Sequence, residues 1–419
     1  MSKFVTAAPK RSVSSQGYAA VEMRPTPRAG HCMLVLEDGS GAPKYLFVVG
    51  GYAKNGPLAD VFRFDIAASK WERVAAAGPP AKRPSSTAPR AKVAPSPLPR
   101  LEFDCCCMSS DIFLFGGIQM DEFDNVLIYN DMWSFDTIKM RWTVLDEGSL
   151  VSERSSHSFT TVASGLVVFG GECMSMALSD AWLWRERAWR RVGASGPQPE
   201  ARSAHAACYI AESSILAVFG GITSVDGEVA HLNDLWCMDT GGAAEQWVWS
   251  NVVFQSGLAP SPRDLPMVIA LRGGLLIMGG YGLEEEEDDE EVGGEEEPLS
   301  AQIDNISLDN REHMNDSDNN GDAEDAASVD SKADGEDEDE VELGYLCDAF
   351  FVDVAAASSR ELPCGDEALS RGSSYGPARR GARAVLLAEE VLTFGGYDGE
   401  GFVGFAEVLH AGRLLAEAS

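Results

Sequence analysis

Six times along this 419-residue chain an apolar run stops on a pair of glycines. The pairs are Gly50-Gly51 after F-V-V, Gly116-Gly117 after F-L-F, Gly170-Gly171 after V-V-F, Gly220-Gly221 after A-V-F, Gly279-Gly280 after L-I-M and Gly395-Gly396 after L-T-F. A variable loop follows each pair, and then an Asp opens an aromatic-centred segment. Those segments are Asp60–Asp65 (D-V-F-R-F-D), Asp131–Asp136 (D-M-W-S-F-D), Asp180–Trp184 (D-A-W-L-W), Asp234–Asp239 (D-L-W-C-M-D) and Asp348–Asp353 (D-A-F-F-V-D), with Glu407 heading a degraded sixth. Self-similarity at such a spacing implies repeated supersecondary units stacked on one another, none of which can bury its apolar face alone.

Each unit reads as four short strands joined by tight turns, with no stretch long or periodic enough for a helix. Trp71, Trp142, Trp189 and either Trp247 or Trp249 mark the fourth strand, and units five and six lack that Trp. Where strands of neighbouring units crowd together, glycine permits close backbone approach and positive φ, while large aromatics fill the wider gap further out.

The Gly doublet, the Asp-x-aromatic strand and the spaced Trp resemble the kelch motif. The resemblance implies an all-β, six-bladed kelch β-propeller with four antiparallel strands per blade. It covers nearly the whole chain outside residues 1–17, a Pro-rich basic loop over 75–99 and an acidic insert over 283–341 in blade five. A strand at about 18–23 stands where a fourth strand precedes the next Arg and is expected to close blade six. A competing reading gives that place to the segment beginning at Leu414.

The net charge of −33 is a local device, because residues 284–340 hold 26 acidic side chains against Arg311 and Lys332. With that charge density and almost no aromatics the insert is expected to stay disordered. Nine cysteines, three of them adjacent, form neither a paired framework nor a two-pair C-x-x-C pattern, so reduced core residues of a cytoplasmic or nuclear protein are expected. No apolar run reaches the length of a membrane span.

An Arg precedes every doublet, at Arg28, Arg100, Arg154, Arg202, Arg263 and Arg379. Such a position lies where the chain enters the innermost strand, so the guanidiniums are expected to form a collar near one mouth of the central channel. Two readings stand. Either each Arg pairs with a neighbouring blade's Asp and holds the ring together, or the collar binds an acidic or C-terminal carboxylate group of a partner, as the resemblance implies for some kelch proteins. Because the loop before the first strand and the loop after the second emerge on one face, the collar, the basic loop and the insert are expected to share that face. The insert then either folds back over the collar, competing with an acidic ligand, or remains a solvated loop that attracts basic proteins such as histones.

His31, His157 and His205 each stand three residues after such an Arg, and a repeated position argues for a structural role. No metal or cofactor is expected. The nearest approach to a metal motif is Asp316, Asp318, Asn320 and Asp322, the first half of a calcium loop whose twelfth position is Ala327. The G-x-G-x-x-G spacing at Gly399, Gly401 and Gly404 follows a strand but leads into no helix, so nucleotide binding is not expected. The expected function is a non-enzymatic adaptor or scaffold using one propeller face, including the substrate receptor of a ubiquitin ligase, with no direct contact to nucleic acid or membrane. The alternative is an enzyme resembling propeller oxidases or sugar-acid isomerases, with Tyr, His or carboxylate side chains converging at the channel mouth.

Overall fold

The apolar runs before the doublets become strands buried on both faces. In Gly165–Phe169 every residue is buried, with Leu166 and Val168 packing toward the blade before and Val167 and Phe169 toward the blade after. Successive side chains of a strand point to opposite faces, so a strand between two neighbouring sheets must be apolar at every position. This is why the runs are continuous rather than alternating.

The computed structural model describes residues 24–75, 96–120, 125–148, 150–193, 196–225, 228–254, 259–283, 343–346, 348–362, 380–387, 390–399, 401–403 and 406–410. Both segments proposed to close blade six, most of the Pro-rich loop, nearly all of the acidic insert, Arg379 and the calcium-like residues Asp316, Asp318, Asn320 and Asp322 lie outside them.

The architecture is a β-propeller with five blades of four antiparallel strands, a last sheet of three, and four smaller sheets built on short ribbons between second and third strands. Blade one comprises Cys32–Glu37, Pro43–Ala53, Gly56–Asp65 and Lys70–Ala75, and blade two Asp104–Met108, Asp111–Phe115, Met132–Asp136 and Arg141–Asp146. Blade three is Ser158–Val162, Gly165–Phe169, Ala181–Arg185 and Ala188–Arg191. Blade four is Ala206–Ile210, Ile215–Phe219, Leu235–Asp239 and Val248–Val252. Blade five is Met267–Leu271, Gly274–Met278, Ala349–Asp353 and Ser358–Glu361. The last sheet has three strands among the described residues, Arg383–Leu387, Glu390–Phe394 and Ala406–His410.

Innermost strands lie side by side in order, and Cys32–Glu37 touches both Asp104–Met108 and Arg383–Leu387. The core accordingly divides into six apolar clusters, one between each pair of consecutive sheets. The cluster joining last to first holds Met33, Leu46 and Phe62 against Val385, Leu392 and Phe394.

The doublets sit where this packing is tightest. Gly116 and Gly117 adopt φ of +63° and +94°. A Cβ on Gly116 would stand 2.7 Å from the carbonyl oxygen of Arg154 in the next blade, and one on Gly117 2.7 Å from that of Leu101. No side chain fits either place. The repeated histidines pack edge-on against the Phe that precedes the previous doublet, His31 on Phe394, His157 on Phe115 and His205 on Phe169, at 5.2 to 5.4 Å. They lock consecutive sheets, and His31 locks the last sheet to the first.

The fourth strand of blade four decides between Trp247 and Trp249. A single 3-10 turn at Ala244–Gln246 precedes it, so Trp249 occupies the strand opposite Met238. Trp247 lies just outside, fully buried, and donates its indole N–H to the carbonyl of Gly242. Trp71, Trp142 and Trp189 lie on their outer strands, opposite Phe64, Phe135 and Trp184. That turn is the one helical element among the described residues, and no helix there is long and apolar enough to cross a membrane.

Candidate functional site

The five described arginines of the repeated position stand where the innermost strands begin, yet none faces the channel mouth. Arg28, Arg100, Arg154, Arg202 and Arg263 are 0 to 2% exposed. Each reaches outward along its own blade to the Asp that opens the third strand: Arg28 to Asp60 at 2.7 Å, Arg100 to Asp131 at 2.5 Å, Arg154 to Asp180 at 2.8 Å, Arg202 to Asp234 at 2.5 Å, and Arg263 to Asp348. The partner is thus the Asp of the same blade, not that of a neighbour. The same Nη1 donates to the carbonyl of the first glycine of its doublet, and Nε donates to the carbonyl two residues back.

Where the residue two back is Thr26, Ser152 or Ser261, its hydroxyl takes a further bond from Nη2. The guanidinium's five donors are then all used. In blades two, three and four the Asp also accepts the indole N–H of Trp133, Trp182 or Trp236. That bond explains the Asp-x-Trp spacing. Burial pushes the carboxyls of Asp180 and Asp234 up, but the hydrogen bonds and charge of Arg154 and Arg202 outweigh it, leaving both below the usual carboxylate range. A guanidinium so occupied has little left to offer a ligand.

The face these arginines underlie is built instead by two other columns of the repeat. The residue after each Arg pairs with the residue after each doublet: Ala29 with Tyr52, Leu101 with Ile118, Ser155 with Glu172, Ser203 with Ile222, Asp264 with Tyr281 and Arg380 with Tyr397. From these pairs short two-stranded ribbons continue outward, Ile118–Met120 with Val126–Ile128, Glu172–Cys173 with Met176–Ala177, Ile222–Val225 with Glu228–His231, and Tyr281–Leu283 with Leu343–Tyr345. In blade one the ribbon is a continuation of the second and third strands, with Tyr52 opposite Pro57. In sequence the acidic insert falls within blade five's ribbon, between the paired backbone positions 283 and 343.

The two halves of this face differ in chemistry. Across blade five, the last sheet and blade one runs an aromatic chain, Tyr281 to Tyr345 at 5.2 Å, Tyr345 to Tyr397 at 6.2 Å, Tyr397 to Phe402 at 5.5 Å and Phe402 to Tyr52 at 5.6 Å. Beside it Arg380 lies 5.3 Å from the Tyr281 ring and donates to Asp264 at 2.9 Å. Asp264 is 2% exposed, and burial pushes its carboxyl up to about 6, against the opposing pull of Arg380. His231, with Nε2 3.9 Å from the same carboxylate, is held below its ordinary value by burial and then by Arg380. Arg380 keeps about a third of its side chain exposed.

Across blades two to four the ribbons instead carry bare apolar tips. Met174 is 71% exposed, Met176 66% and Val229 65%, with Met120, Val126 and Leu127 also open. Of the eleven large apolar side chains exposed among the described residues, seven lie on the ribbons of this one face. Counting on the arginines alone, the sequence reading passed over both features. Aligning the residue after each Arg sets Asp264 and Arg380 apart from Ala29, Leu101, Ser155 and Ser203, and aligning the residue after each doublet groups Tyr281, Tyr397 and Tyr52 in three consecutive units against Ile118, Glu172 and Ile222 in the other three.

Comparison with known proteins gives a family match over residues 46–297 to the Attractin/LZTR1 beta-propeller. The chain is 25% identical over 274 residues to Kelch domain-containing protein 3 of Rattus norvegicus, covering 61% of this chain and 62% of that one. It is 24% identical over 283 residues to Host cell factor homolog hcf-1 of Caenorhabditis elegans, covering 61% and 32%, and 32% identical over 134 residues to Dynein regulatory complex subunit 7 of Chlamydomonas reinhardtii, covering 31% and 11%. The matched part therefore spans less than two thirds of each of these relatives.

Proposed function

The chain belongs to the Attractin/LZTR1 family of kelch-type β-propellers, and from that premise we propose that it is a non-enzymatic protein-interaction adaptor whose ribbon face is the docking surface. The observation that carries the reading is the concentration of exposed large apolar side chains on that face. Exposed apolar groups scattered singly are ordinary, but a cluster on one face of a repeat protein marks an interface. The tyrosine chain of blades five to one supports it, since tyrosine and arginine are the side chains that anchor protein partners most often.

In this reading an acidic group of a partner meets Arg380, which retains exposed surface, rather than the buried arginines. We read the three-stranded sheet as the sixth blade, its outer strand supplied by residues 18–23 or by the C-terminal segment. The test is site-specific photo-crosslinking in cells, with the crosslinker placed at Tyr52 or Met174 on the ribbon face or at Ile138 on the opposite face. Discrete adducts with another protein from the first two positions and not from Ile138 are expected. Adducts confined to Ile138 would move the docking surface to the other face.

A further inference from the structure

Among the described residues, the apolar half of the ribbon face has a rim of one sign. On the ribbons of blades two to four and the segments leading into their innermost strands, the described acids are Glu102, Glu147, Glu153, Glu172, Glu200 and Glu228. The described Lys and Arg there are Arg100, Arg154 and Arg202, all buried on their aspartates. Glu153, Glu200 and Glu228 are exposed. The ribbons of blades three and four form a continuous surface, because Met176–Ala177 of blade three lies beside Ile222–Val225 of blade four. An apolar floor of methionines and aliphatics is thus bordered by carboxylates, with no exposed Lys or Arg among the described residues there.

We propose that this half of the face binds a basic amphipathic helix of a protein partner. The proposal rests on the reading of the ribbon face as a docking surface and names the occupant of one part of it. Unbranched, polarizable Met side chains adapt to an apolar ridge without demanding one shape, which suits a helix laid across several ribbon tips. The carboxylate rim selects Lys and Arg on the flanks of that ridge, and repels acidic helices of the same apolar pattern. Arg380 and the tyrosine chain lie on the other half, so an acidic group and a basic helix would not compete for one place.

The test uses the full chain and an 18-residue helical peptide of Leu and Lys with its leucines on one face, together with a scrambled peptide of identical composition and a Leu/Glu peptide of the same pattern, titrated by fluorescence anisotropy. The patterned basic peptide is expected to bind at least about tenfold more tightly than either control, because charge alone treats it and the scrambled peptide alike. The triple variant Leu127→Ser, Met174→Ser and Met176→Ser should erase that advantage. Glu153→Gln with Glu200→Gln and Glu228→Gln should weaken binding by roughly three- to tenfold at low salt and less at high salt. Near-ultraviolet circular dichroism of each variant reports whether the propeller is intact.

Equal binding of patterned and scrambled peptides, or an unaltered affinity in the apolar variant, overturns the proposal and assigns the binding to the acidic run beginning at Glu284. Absence of binding overturns it as well. Crosslinks from Tyr52 that persist in the apolar variant would keep the ribbon face as a docking surface while this occupant is rejected.

Discussion

Arg154 and Arg380 are the same residue set against the same kind of partner, an aspartate within hydrogen-bond reach, and they do different things. Arg154 bonds Asp180 inside one blade, has no exposed surface and spends every donor on its own blade. Arg380 bonds Asp264 between the last sheet and blade five, with a third of its side chain open and a carboxylate so buried that it resists ionising. The repeated seam is saturated, whereas the unique one is strained by desolvation and still faces the solvent. Repetition marks what the ring needs in every blade, and departure from repetition marks what one face does with it. The sharpest way to test that division is to break each seam in turn.

Breaking the repeated seam should cost most. Arg154→Ala leaves Asp180 mostly buried beside an indole N–H with its counter-charge gone, and also strips the carbonyl of Gly170 of its donor. Removing one partner of a buried pair destabilises by about 3–5 kcal/mol. Urea denaturation should show a loss of that order, and Arg154→Lys should recover only part of it, because an ammonium cannot supply the fork. A loss below about 1 kcal/mol would mean that the seam is ornamental.

The second seam should respond with the opposite sign. Asp264 is held at about 6 against an ordinary value of 3.8, so the folded chain grips this proton more tightly than the unfolded chain does. By linkage the carboxylate costs stability above pH 6, and the cost vanishes as the pH falls toward 4. A rise of about two pKa steps sets a ceiling of about 3 kcal/mol. The charged and titratable groups beside it are Arg380 and His231, and Tyr281 is its strand-pairing partner. Asp264→Asn keeps an acceptor for Arg380 and should therefore raise stability at pH 7.5 by about 1–3 kcal/mol and leave it unchanged at pH 4. A loss at pH 7.5 would show that the ion pair repays its burial.

The interlocking histidines give a smaller effect, and one with reversed pH dependence. His205 is held at about 3 against 6.5, by burial first and then by the charge of Arg202, so the folded chain binds fewer protons than the unfolded one. Its contribution is lost as the pH falls below 6.5, by about 2 kcal/mol at pH 5. Blade two already carries Phe103 at the equivalent place, against Gly50. His205→Phe should thus stay within about 1 kcal/mol of the parent at pH 7.5 and exceed it by about 2 kcal/mol at pH 5, measured by urea titration at both.

How far the sequence alone reaches follows from the same division. The strands, the doublets and the Arg and Asp columns were legible because each recurs, and because burial on both faces writes itself as an unbroken apolar run such as G-L-V-V-F. The direction of the guanidiniums was not legible. Strand order says which residues share a blade, but not that a side chain of Arg length reaches past the doublet to the third strand instead of turning into the channel. The choice between Trp247 and Trp249 was not legible for a different reason, since one 3-10 turn shifts the count by two residues and leaves no periodic trace. Asp264 and Arg380 escaped because a reading that weighs residues by recurrence discards what occurs once.

The ribbon tips of blades two to four lie at the far end of that scale and supply the smallest expected change. Met174 and Met176 are exposed at the ribbon tip of blade three and belong to none of the apolar clusters. Exposed positions of this kind alter stability by about 0.5 kcal/mol or less, so Met174→Ser with Met176→Ser should leave the urea midpoint where it is while reducing crosslinking to a partner. If instead the pair lowered stability as a core substitution does, the methionines would be part of the ring's own packing. The asymmetry between a saturated interior and an unsaturated face would then no longer separate what builds the propeller from what it binds.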